Sequence, residues 1–151
     1  MNESSIEEYQ IAPISKRLGA FFIDETIVAL LVMVIYYSQL TPLLKSFQNT
    51  QDIVPVIEFF NSVMLSLITL KVIYQTFFVW QNGMTPGKMM MKVAVIDMRT
   101  GRTPTFEVAF LRASFRILSE IIMNLGYFFA YFNPMVQTLH DKVAKTIVVN
   151  A

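Results

Sequence analysis

The sequence predicts an all-α transmembrane protein of about three membrane-spanning helices, with a small cytoplasmic β-hairpin and an interfacial amphipathic helix between the second and third spans. Composition is the first reason. The chain is 54% hydrophobic and 15% charged, whereas soluble domains carry about 25% charged residues. Thirteen Phe, six Tyr and ten Met are more large side chains than a soluble core of this length can hide. The second reason is length, since three apolar blocks approach the roughly 20 residues needed to cross about 30 Å of hydrocarbon. The third is the uneven placement of Lys and Arg.

A chain of 151 residues reads as one domain: a polar leader over 1–15, then a transmembrane domain over 16–151. The leader is acidic (Glu3, Glu7, Glu8) and the apolar run behind it is about 23 residues long. A signal peptide has a basic start and a shorter apolar core, so no cleavage is expected. With no cysteine in the chain, disulfides, zinc–thiolate sites and cysteine nucleophiles are excluded.

The first span is expected over 18–40. It opens after Ile14-Ser15-Lys16-Arg17, with Ser15 as candidate N-cap, and should stop before Thr41-Pro42, where proline opposes continuation. The second, 56–80, ends at Gln81-Asn82-Gly83, with Trp80 at interfacial depth. The third, 117–136, contains Glu120, Asn124, Gly126 and Asn133-Pro134. A break at Gly126 or Asn133-Pro134 would make it a re-entrant hairpin. Between the second and third spans, Lys92 to Asp97 has strand composition, Met98 to Gly101 supplies a turn, and Arg102 to Phe106 can return as the partner strand. From Thr105 onward Phe106, Phe110, Ala113, Ile117 and Ile121 fall on one helical side and Arg112, Arg116, Glu120 and Asn124 on another. This helix should lie along the interface before turning inward. Thr146 to Val149 looks like one more short strand.

Orientation follows from the basic residues. Lys16, Arg17, Lys88, Lys92, Arg99, Arg102, Arg112 and Arg116 flank one side, against Lys45, plus Lys142 and Lys145 if the third block spans fully. The amino terminus and the 81–116 loop are therefore expected in the cytoplasm of a bacterial cell, with the chain a multi-pass protein of the inner membrane. Three full spans would leave the tail outside.

Ionisable residues inside these spans are costly and tend to face the protein interior. Arg17 and Asp24, two turns apart on one helix, share a face. Lys71, nine residues before Trp80 in an antiparallel helix, lies at a depth comparable to Asp24, and Glu120 enters from the same side. A polar layer results: Asp24, Glu25, Lys71, Gln75, Glu120 and Asn124, edged by Arg17 and Arg116. Its functional reading is a site that binds or relays a monovalent cation or proton. Its structural reading is that the charges only pair with one another and fix helix register.

Other motifs lead to plain readings. Gly83-Met84-Thr85-Pro86-Gly87-Lys88 is one residue short of a phosphate loop and has Met89 where Ser or Thr must hold magnesium. Met89-Met90-Met91 fits an apolar anchor better than a copper site. His140 is the only histidine, which leaves no metal cage and no hydrolytic triad. No cofactor, no metal and no nucleic-acid partner are expected, and the chain does not read as an enzyme.

Taken in order, Arg17-Leu18-Gly19-Ala20-Phe21-Phe22-Ile23-Asp24, Thr85-Pro86-Gly87-Lys88, Lys92 to Asp97, Arg112, Arg116, and His140-Asp141 with Thr146 resemble the RDD family over about Pro13 to Val149. The family is named for one arginine and two aspartates, so the resemblance implies Arg17, Asp24 and Asp141 as signature residues. Lys145 departs from it, standing where relatives commonly have glycine, and Asn133 to Leu139 lacks the basic cluster that often precedes the His-Asp pair. The resemblance implies transport of some ligand or ion, with cation/proton exchange in some members. A non-catalytic accessory or assembly subunit of a larger membrane complex is the alternative. Three helices rarely enclose a pathway, so a homo-oligomer or larger partner is expected within the lipid bilayer.

Overall fold

The computed structural model describes residues 10–121 and 136–151. Two long helices dominate it, α1 (Ile14–Thr50) and α2 (Val54–Asn82). They run antiparallel as a hairpin, as shown by contacts from Tyr36–Ser66 at 2.5 Å, through Lys71–Glu25 at 2.6 Å, to Tyr74–Asp24 at 2.9 Å. A short helix α3 (Pro86–Met90), strand β1 (Val93–Asp97), helix α4 (Phe106–Ile121), a short helix α5 (Leu139–Val143) and strand β2 (Thr146–Asn150) follow.

Both long helices are of spanning length and composition, with mean hydropathy of 2.2 and 1.8 in their most apolar stretches. The helix buried in a soluble core passes the same test, but here that stretch of α2 has 0% of its residues buried. Phe22, Val34, Tyr37, Phe60 and Leu65 are more than half exposed, while Arg17, Asp24, Arg112, Arg116 and Asp141 are buried. Charges inside and large apolar side chains outside invert the arrangement that water selects; it is the arrangement that lipid selects.

Several expectations need correction. α1 begins at Ile14 with Pro13, not Ser15, in the N-cap position, and it continues through Pro42 to Thr50. Proline removes one hydrogen bond and crowds the preceding turn. Cooperative propagation from the long apolar run upstream outweighs that local penalty. α2 matches its expected extent and closes at Gly83, whose φ of 69° is the left-handed cap that glycine adopts without strain.

The expected β-hairpin is not formed. β1 pairs antiparallel with β2, Val95 opposite Val148, and Arg102 to Thr105 is irregular. The tail strand matches expectation, but its partner does not. On its other edge β2 meets the chain just before α1: Ile11 bridges Val149, Ala12 N–H donates to Val148 O at 3.0 Å, and Asn150 N–H donates to Gln10 O at 2.8 Å. Buried Ala12, Ala20, Val79, Val93, Val95, Ala109 and Val148 join the sheet to the ends of the helices.

This pairing sets the tail beside the start of α1 and the end of α2. Three complete crossings would have put the tail on the face opposite the 83–105 segment. Of the expected third span, 117–121 belongs to α4 and the remainder, with Asn124, Gly126 and Asn133-Pro134, lies outside the described residues. α4 is amphipathic as expected but does not lie flat at an interface. Phe106 meets Trp80 edge to face at 5.7 Å and Glu120 meets Lys71 at 2.8 Å, so α4 runs antiparallel along α2. Its arginine face is buried, and Phe106, Phe110 and Leu118 face outward.

Candidate functional site

The buried polar groups gather at the end of the α1–α2 hairpin that carries the sheet. Along α1 the buried residues Arg17, Ala20, Asp24, Val28 and Val32 form one stripe at helical spacing. Arg17 and Asp24 share that face as expected, yet they serve different partners.

Asp24 pairs with no cation among the described residues. Its Oδ1 accepts from Tyr74 Oη and Gly87 N, both at 2.9 Å, and its Oδ2 accepts from Thr85 Oγ1 at 2.6 Å. The Thr85-Pro86-Gly87-Lys88 turn is thus an anion cradle after all, and the anion is the chain's own carboxylate. Proline suits the first position of α3, where no N–H is needed. Gly87 is required by close approach: a Cβ there would stand 2.7 Å from Asp24 Oδ1 and would also collide with the Ala20 carbonyl. Thr85 caps α3 by accepting from Lys88 N. Tyr74 escapes the sequence reading, although it lies three residues past Lys71 and so on the same helical face.

Asp141 is the second buried carboxylate, 1% exposed. Arg112 reaches it through Nε at 2.9 Å and Nη2 at 2.5 Å, and Arg17 Nη1 lies at 3.3 Å. Burial alone would raise the Asp141 carboxyl, but the Arg112 and Arg17 guanidiniums hold it well below the usual carboxylate range. Thr138 and Asp141 form a capping box at the start of α5. The Thr138-Leu139-His140-Asp141 spacing carries that signature in the sequence, a local signal that the reading of the tail passes over. Arg17 also donates to Ala12 O, Val136 O and Val148 O at 3.1, 2.6 and 3.0 Å. One guanidinium therefore ties α1, the segment before α5, and β2 together. Thr146, fully buried, donates to Asp141 O at 3.5 Å. His140 is buried beside Asp141; burial, with Arg112 and Arg116 nearby, pushes its imidazole well below its ordinary pKa.

A third group lies deeper. Lys71 Nζ bridges Glu25 at 2.6 Å and Glu120 at 2.8 Å, and Arg116 joins the same two carboxylates at 3.5 and 3.0 Å. Arg116 also sits over the Phe21 ring at 5.2 Å. Of the expected polar layer, Glu25, Lys71 and Glu120, with Arg116 from its edge, form a four-membered network spanning α1, α2 and α4. Asp24 has its separate partners Tyr74, Thr85 and Gly87, and Asn124 lies outside the described residues. Gln75 is buried, and its Oε1 has no hydrogen-bond partner among the described residues. No cluster of three or more potential metal ligands occurs among the described residues.

The RDD family model matches residues 11–145. An uncharacterised protein of Rickettsia prowazekii (strain Madrid E) is 31% identical over 74 residues, 49% of this chain and 40% of the relative. The chain thus matches less than half the length of that relative. No solved structure matches.

Proposed function

The chain belongs to the RDD family, and from that premise we propose that this membrane protein takes part in moving a small ion, a monovalent cation or proton, across a bacterial inner membrane. The observation that carries this reading is Lys71 held between Glu25 and Glu120 inside the helical layer, because ionisable groups are retained at such depth at a cost. The role is not enzymatic. The two helices of spanning length among the described residues enclose no pathway, so a second copy or a larger membrane partner completes it. The proposed orientation is cytoplasmic for the sheet end. With the tail joined to that end, Lys142 and Lys145 add to the eight basic residues there, and Lys45 alone lies at the far end.

One observation favours the accessory-subunit reading instead: Glu25 and Glu120 are both engaged by Lys71 and Arg116, an arrangement that fixes helix register without a ligand. Reconstitution into liposomes decides between them. Transport predicts that a sodium or potassium gradient drives proton movement, and that Lys71→Met inserts normally but loses most of this flux. Absent flux, with stoichiometric co-purification of a larger complex in mild detergent, supports the accessory role.

A further inference from the structure

We propose that the cavity between α1, α3, α4 and α5 is a binding site for one small monovalent inorganic anion of chloride size, with Lys88 as the residue that requires it. Arg17, Lys88, Arg112, Arg116, His140 and Asp141 line a cavity of about 20 Å³, enough for one water-sized occupant.

Charge balance points to the occupant. Among the described residues, the cavity and the adjoining network hold five basic side chains, Arg17, Lys71, Lys88, Arg112 and Arg116, against Asp24, Glu25, Glu120 and Asp141. That leaves one positive charge in surplus among these described residues. Every one of these carboxylates already accepts a hydrogen bond or ion pair. Lys88 is 7% exposed, and among the described residues its Nζ makes no hydrogen bond or ion pair. An ammonium in that position must lose its proton or acquire a counter-ion. Burial, then the Arg112 and Arg116 charges, push its pKa well down. An anion there would face the Lys88 ammonium and the guanidiniums that line the cavity. The site is distinct from the Glu25–Lys71–Glu120 network of the ion-transport reading, and Arg116 adjoins both, lining the cavity and pairing with Glu25 and Glu120.

The test is a thermal unfolding series on the full chain in mild detergent, at constant sodium and ionic strength, replacing gluconate by chloride or bromide. The site predicts a midpoint that rises and saturates with halide concentration, and retention of radioactive chloride in equilibrium dialysis. Lys88→Met should lose both. A wild-type midpoint indifferent to chloride overturns the proposal whether or not the variant folds, as does Lys88→Met keeping the full shift. If halide has no effect while the wild type alone retains an anionic lipid in native mass spectrometry, the ligand is a headgroup phosphate and the small-anion site is wrong.

Discussion

Asp24 shows how one residue sets the local structure. A buried carboxylate with no cation partner among the described residues is tolerated here because three donors, the Tyr74 and Thr85 hydroxyls and the Gly87 amide, converge on it. Removing the acceptor strands all three, and each stranded buried donor costs on the order of 1–3 kcal/mol. Asp24→Ala is therefore expected to destabilise the protein by about 3 kcal/mol or more. Asp24→Asn keeps an oxygen for Gly87 N–H and offers an amide that Thr85 Oγ1 can accept from, so it should cost about 1 kcal/mol. Chemical unfolding in detergent of both variants checks the order; equal losses would show that the hydrogen bonds do not set the cost. The importance of Asp24 is legible from its depth in an apolar helix, but its partners are not. Expecting charge to seek charge overlooks that hydroxyls and a backbone N–H satisfy a carboxylate equally well.

At the scale of elements, legibility tracks sequence distance. α2 is readable because its apolar run and glycine stop are local signals. The β1–β2 pair is not, because its strands are separated by about fifty residues and the nearer Arg102 to Phe106 segment offers a cheaper loop closure. The amphipathic pattern of α4 is readable, but its direction is inverted. In lipid the phenylalanines belong outside, and the arginines turn toward Asp141, Glu25 and Glu120. The α5–β2 turn holds a residue-type conflict visible at both levels. Lys145, at φ 51°, occupies the left-handed region that glycine adopts without strain. Left-handed backbone strains a side-chain-bearing residue by about 1–3 kcal/mol, partly offset by the greater unfolded-state freedom of glycine. Lys145→Gly should raise stability by about 1 kcal/mol, read as an upward shift of the unfolding midpoint; a downward shift would show that the lysine is favoured there.

Across the whole molecule, lipid-facing helices and a buried charged layer are two sides of one arrangement. The layer holds the ends of α1 and α2 to a sheet built from the start, the middle and the tail of the chain. That sheet brings residues near 10, 100 and 150 together at one end of the α1–α2 hairpin and leaves the α1–α2 turn at the other, so the proposed membrane crossing puts these two ends on opposite faces. The chain has no cysteine, so single introduced thiols report cleanly. Arg102, Ala151 and Asn49 are exposed, which makes Arg102→Cys, Ala151→Cys and Asn49→Cys suitable reporters with an impermeant thiol reagent. The expected result is labelling of Asn49→Cys in intact cells, with Arg102→Cys and Ala151→Cys labelled only in inside-out vesicles. Labelling of Ala151→Cys and Asn49→Cys from the same side would contradict the account.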